Sequence, residues 1–364
     1  MSLSLWLLVG FALLLAAAAA VAYAYLPWRK RFLIALDPRW REDAALLNFT
    51  QAQEARAAAN PLLARVLIRD ACDVIWNEGN DTPPAALFGQ LPYGALVHVN
   101  ARYIPRFMDE ILPVLKGPIV LHSGFETVIT RYPGFERIIE SPLVLHWYLE
   151  HFELDRAHLN RVTPLPIGLD FHKLTPSAGE NRGYDMGIPA SPENQQLTLE
   201  AMRDSIPPIA ERPLKAYANF HFSMDIFLRS PEARKRRPAR LEAMRILKGR
   251  AHTFFEPRQR PRNAVWARHR DFAFELSPRG NGIDCHRTWE ALMLKTIPIV
   301  QKSHLDPIYD GLPVAIVEEW SEVTPERMKL WRDEFREQID GPMPAKFYAR
   351  YWIEAMRAHA RGWV

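Results

Sequence analysis

SPRGNGIDCHRTWEALMLKTIPIV, from Ser277 to Val300, joins a basic, glycine-bearing loop to an acid-bearing helix between two apolar runs. The run Phe272 to Leu276 before it reads as a strand and Ile297 to Val300 as the next, with about three helical turns between. Strand, crossover helix and parallel strand make one unit, and ligands of such units sit beyond the carboxyl ends of the strands, where Ser277 to Asp284 fall. Gly280 and Gly282 are expected at positive φ, where the backbone approaches a ligand closely. Arg279 offers a planar fork of donors for phosphate oxygens. Asp284 is placed as the helix cap. His286 and Glu290, four apart, share a helix face, with Arg287 beside them at the positive helix start. This pattern suits a pyrophosphate joined to a hydroxylated group, with Glu290 accepting from hydroxyls. Three or four such donors, at roughly 1.5–3 kcal/mol each, suffice for micromolar binding. The spacing matches neither the dinucleotide GxGxxG nor the GxxxxGK[ST] phosphate loop. Trp289 and Met293 are read as core, and Cys285 as a small apolar residue.

The segment from about Asp271 to Thr324 carries SPRGNGIDCHRTWEAL, IPIV, LDPIYDGLPV and a closing EEWSEVT. It resembles the donor-binding half of exostosin-like glycosyltransferases. The likeness extends weakly to Lys215–Phe222 (KAYANFHF), and Pro164–Phe171 (PLPIGLDF) resembles a stretch near the junction of the two halves in related proteins. The resemblance implies an α/β fold of two Rossmann-like domains facing across a cleft (the GT-B arrangement), a nucleotide-sugar donor held by the second, and inversion at the anomeric carbon. It places Ser277, Arg279, Gly280 and Asn281 at the diphosphate, within a donor loop that also includes Pro278 and Gly282. Asp284, His286, Arg287 and Glu290 then surround the rest of the donor. An inverting transferase needs a base for the attacking hydroxyl and groups that compensate charge on the departing diphosphate. Arg279 and the helix start suit the second role. For the base, the candidate is Glu126, in VLHSGFET, with Asp170 and His122 behind it. The alternative reading is a catalytically silent, membrane-tethered protein that binds a nucleotide or glycan.

No Asp-x-Asp triplet, no HExxH and only two distant cysteines, Cys72 and Cys285, occur in the sequence. Metal-independent transfer is therefore expected, with no cofactor and with the nucleotide-sugar as a substrate.

From Leu3 to Leu26 there is no charged residue. As a helix this run spans about 36 Å, against a hydrocarbon thickness of about 30 Å, so one uncleaved membrane span is expected. Trp28 falls at the interface, and Arg29, Lys30 and Arg31 follow; by the positive-inside rule the catalytic part faces the cytoplasm of a bacterium. The resemblance supplies the alternative, a Golgi-luminal enzyme of type II orientation. Arg229–Arg240 and Arg258–Arg270 concentrate the positive charge of a chain whose net charge is only +4. They read as solvated faces, or as contacts with anionic lipid headgroups or a lipid-linked acceptor. With one aromatic between them, Trp266, nucleic acid is not expected as a partner. The expected partners are the donor, a glycan or lipid-linked acceptor and the membrane.

Apolar runs Val74–Trp76, Ala95–Val99, Pro118–Leu121 and Pro142–Leu145 read as buried strands of a parallel sheet, with a helix over Ile104–Leu115. A Pro- and Gly-bearing stretch, Pro176–Pro213, is expected to link the domains, with a helical piece near Leu197–Ser205. Lys215–Phe220 opens the second sheet and Pro313–Val317 closes it. Thr324 caps a helix with Pro325 at its first position. Pro344–Val364 reads as a helix whose Tyr348, Tyr351, Trp352 and Met356 pack back across the first domain. The expected division is anchor and basic flank 1–31, acceptor-side domain 40–200, donor domain 201–324 and C-terminal helices 325–364.

Overall fold

A computed structural model describes residues 49–77, 85–124, 128–171, 191–220, 239–257, 262–280 and 282–362. The expected membrane span lies outside these residues. Among the described residues no helix is long and apolar enough to cross a membrane.

The chain forms two five-stranded sheets in which every neighbouring pair is parallel. The first contains β1 (Val74–Trp76), β2 (Ala95–Asn100), β3 (Ile119–Gly124), β4 (Val144–Glu150) and β5 (Val162–Leu165). The second contains β6 (Ala216–Ala218), β7 (Thr253–Phe255), β8 (Phe274–Leu276), β9 (Ile297–Gln301) and β10 (Ala315–Val317). Helices of six residues or more are α1 (Gln51–Ala59), α2 (Arg65–Asp70), α3 (Pro192–Ser205), α4 (Ala239–Leu247), α5 (Arg262–Arg268), α6 (His286–Met293), α7 (Pro325–Asp340) and α8 (Ala349–Ala360).

The two sheets differ in order. The second runs β10-β9-β8-β6-β7, so the direction of winding reverses between β6 and β8. The first runs β1-β2-β3-β4-β5 in simple sequence, which departs from the expected Rossmann-like order. Right-handed crossovers between sequential neighbours all pass over one face. The other face is covered by the chain's own end: α8 lies against β2, β3 and β4 and against α2. Trp352 and Met356 are buried there, whereas Tyr351, expected in the same stripe, is 40% exposed. Arg357 adds a fork to Asp73 at 2.9 Å to each oxygen.

Two strands escaped the sequence reading. β5 contains Pro164, which an edge strand tolerates because the missing N–H faces away from the ladder. β7 is three residues at the opposite sheet's edge. The helix expected over Ile104–Leu115 is instead a turn of α-helix, a π turn at Phe107–Ile111 and a 3₁₀ turn at Leu112–Val114, broken around Pro105 and Pro113. Helix α3 runs through the boundary expected at 200/201 and touches α1 as well as α5 and α6. Its Arg203 donates to Met293 O at 2.9 Å and to Gly341 O at 2.6 Å, tying the end of α6 to the strap that leads to α8.

Candidate functional site

The winding of the second sheet reverses between β6 and β8, and open α/β sheets bind ligands beyond the carboxyl ends of the strands at such a point. The loop Ser277–Asp284 emerges from β8 at this point, and α6 begins directly after it. Phe220 follows β6 on the other side. Arg287, in the first turn of α6, places its guanidinium carbon 5.6 Å from the centre of the Phe220 ring. Its Nε lies 3.5 Å from Glu275 Oε1. Its Nη1 is buried and has no hydrogen-bond partner among the described residues. Glu275 also accepts from His269 Nε2 at 2.5 Å. Burial works to lower His269, but Glu275 outweighs it and the imidazole is raised. Glu275 is thus shared between two donors, and Arg287 keeps a cationic N–H in reserve.

The rest of the loop is locked by protein. Neither Gly280 nor Gly282 has positive φ, contrary to expectation. Each is a glycine because another side chain fills the Cβ position: Arg240 at Gly280 and the His151 ring at Gly282. Arg240, buried on α4, also donates from Nε to Arg279 O at 3.2 Å. Ser277 is buried, with its Oγ 2.8 Å from Thr288 Oγ1, and Pro278 O accepts from the Cys285 thiol. Arg279 is half-buried, and its Nη1 lies 4.0 Å from Glu153 of the facing half. Asn281 lies outside the described residues.

Two residues expected around the donor, Asp284 and His286, instead grip the segment that leaves the first sheet, and a third, Glu290, pairs with an arginine that holds that segment. Asp284 is not the helix cap, a position Cys285 occupies without a capping side chain. Its carboxylate accepts from Ile167 N at 2.9 Å, Cys285 N at 2.8 Å and Trp289 Nε1 at 2.9 Å. Burial pushes that carboxyl up to about 6. His286 Nδ1 lies 2.7 Å from Gly168 O, so it carries the hydrogen, because a carbonyl can only accept. Glu290 lies 3.6 Å from Arg262 Nε. The same Arg262 holds Asp170 through Nη2 at 2.9 Å and also donates to the Asp170 carbonyl. Asp170, expected as an acceptor-side base, is therefore a buried ion-pair partner, about 6% exposed. Glu126 lies outside the described residues.

The first sheet supplies residues that the sequence reading missed. Following the apolar run of β4 to its end, rather than stopping at Leu145, brings Glu150 and His151 to the carboxyl edge. Glu150 is buried against Gly124, with Oε1 3.6 Å from His122 Nε2, and His122 Nδ1 lies 3.0 Å from His98 Nδ1. Burial works to raise the Glu150 carboxyl, but His122 and the neighbouring cations hold it down at about 2. His151 has φ +53, a strained region for a residue with a Cβ, and accepts at Nδ1 from Asp284 N at 3.3 Å. Among the described residues no group of three or more His, Cys, Asp or Glu could hold a metal ion.

No protein-family model matches this chain, and no curated protein matches it. Among solved structures it is similar to one titled trehalose-6-phosphate from E. coli bound with UDP-2-fluoro glucose, at 12% identity and a TM-score of 0.36, covering 77% of this chain and 76% of that one. It is similar to an alpha1,3-fucosyltransferase at 11% identity and a TM-score of 0.34, covering 73% and 78%. It is similar too to a UDP-forming alpha,alpha-trehalose-phosphate synthase from Burkholderia xenovorans, at 12% and 0.30, covering 76% and 73%.

Proposed function

We propose that this chain is a nucleotide-sugar-dependent glycosyltransferase of the GT-B arrangement, moving a sugar from a nucleoside diphosphate to a hydroxyl of a glycan or glycolipid. One observation carries the reading: Arg287, half-buried and with a buried Nη1 that has no hydrogen-bond partner among the described residues, stands at the winding reversal of a parallel sheet, beside a helix start. A diphosphate at that point meets the guanidinium of Arg287 and the positive end of α6, and Arg279 is within reach from the loop. The carboxyl edge of the first sheet, carrying Glu150 and His151, forms the opposite wall.

In an inverting transfer the acceptor oxygen bonds to the anomeric carbon while that carbon's bond to the phosphate oxygen breaks, and the electron pair leaves with the diphosphate. The hydroxyl proton passes to a base on the first half, for which Glu126 is the candidate. Arg287 and Arg279 stabilise the charge on the leaving group without a metal. Membrane anchoring through Leu3–Leu26, the exostosin-like relationship and a cytoplasmic catalytic part belong to the same proposal.

A second reading has its own support. Asp170 is held by Arg262, and two loop glycines are filled by protein side chains, as in a binding protein that has no acceptor-side base. Titration with uridine and guanosine diphosphate followed by a donor screen separates the two. Arg287→Ala is expected to weaken nucleotide binding at least tenfold, and unchanged binding removes Arg287 from the site. Binding without transfer to any acceptor favours the second reading.

A further inference from the structure

His151 joins several independent oddities. It stands immediately after β4 in a left-handed conformation that is strained for a residue with a Cβ, and such strain persists only where the surroundings impose it. It is 2% exposed, yet its ring reaches across to the other half and occupies the place of a side chain at Gly282. Burial holds the imidazole down at about 4, so it is neutral at physiological pH.

The hydrogen bond then decides its tautomer. Asp284 N–H can only donate, so Nδ1 must present its lone pair and the single ring hydrogen sits on Nε2. Among the described residues that Nε2–H has no hydrogen-bond partner. The charged neighbours acting on the ring are Arg65, Arg279 and His286 on one side and Glu150 on the other. A neutral donor has thus been carried to the start of α6, with the Arg65 and Arg279 cations acting on it from one side and the Glu150 carboxylate from the other.

Resting on the glycosyltransferase reading above, we infer that His151 Nε2–H donates a hydrogen bond to the departing diphosphate, so that the first half completes the phosphate site built by the second. The donor is neutral and held in place beforehand by the Asp284 amide, so it meets the developing negative charge without reorganising when the bond to the anomeric carbon breaks. The His–Gly contact also explains why the loop is not an open phosphate cradle: position 282 makes room for the imidazole.

Asn and Gly both accept the left-handed backbone, so His151→Asn and His151→Gly should fold. With uridine and guanosine diphosphate as probes, His151→Gly is expected to weaken binding about tenfold or more, and His151→Asn, which keeps an N–H, to recover part of the loss. In protein labelled with ¹⁵N at histidine, the Nε2–H proton of His151 should move downfield on adding the nucleotide. A His151→Gly protein that binds as well as wild type, or an Nε2–H signal that does not move, overturns the inference. So does a loss of binding that only follows a fall in melting temperature. Wild-type protein that binds neither nucleotide overturns the reading of the site itself. Wild-type binding weakened by Arg287→Ala but not by His151→Gly overturns the role of His151 alone.

Discussion

Position 282 bears a glycine because an imidazole from the other half needs the space, and Gly280 is a glycine because a guanidinium does. The first lies well over a hundred residues back, at His151, and the second in the first turn of α4, at Arg240. The loop between β8 and α6 was legible locally, but the reason for its glycines was not. The same holds for acids and bases. Asp170, Glu290 and Arg262 form one buried cluster that joins the segment after β5 to α5 and α6. Removing the cation leaves two carboxylates in low dielectric without compensation, which typically costs about 3–5 kcal/mol. Arg262→Ala is therefore expected to lower the urea midpoint sharply, and Asp170→Asn to restore part of the loss in the double variant. Additive losses would show that the three do not act as a unit.

At the scale of elements, α8 docks through a histidine cluster. His146 and His359 stack at 3.8 Å between ring centres, His146 Nε2 lies 2.7 Å from Thr163 Oγ1, and Tyr148 Oη lies 2.7 Å from His359 Nδ1. Burial lowers both imidazoles, His146 to about 3. The unfolded chain takes up these protons near pH 6.5 and the folded chain does not, so the unfolded state binds more protons below that point and stability falls as pH falls. The full contribution is present above about pH 6.5 and is lost progressively toward about pH 3 for His146, at most about 1.4 kcal/mol per pH unit for one histidine. Urea denaturation between pH 7.5 and 5 measures the slope. A His146→Gln, His359→Gln protein should show a flatter one, and an unchanged slope would place the acid sensitivity elsewhere.

At the scale of the whole molecule, the last helix completes the first sheet. Crossovers of one hand between sequential strands pass over one face of the sheet, and α8 lies against β2, β3 and β4 on the other. Gly94 has φ +74 and sits where any side chain would strike the Ala360 carbonyl. Trp352 and Met356 are buried in this docking, and Phe347, just before α8, is buried with its ring 5.7 Å from that of Trp289; each is worth about 1.5–3 kcal/mol. Their sum approaches the 5–15 kcal/mol of a typical domain. A protein ending at Gly341 is thus expected to lose its near-ultraviolet circular dichroism and to aggregate at temperatures where the full chain is stable. A monomeric, cooperatively folding truncation would show that the face needs no cover.

Features that depend on neighbours along the chain could be read from the residues alone. Apolar runs marked eight of the ten strands, Thr324 and Pro325 marked a helix start, and the junction of β8 with its loop and α6 marked where a ligand is to be sought. Strand order and side-chain partners emerged with the folded chain. These depend on which surfaces meet across the molecule, and a hydrogen-bonding side chain is equally apt for a phosphate or for a backbone amide of the other half. Hence Asp284 and His286, which read as ligand contacts, turned inward to hold Ile167 and Gly168, while His151, inconspicuous in its own segment, came to stand over the loop.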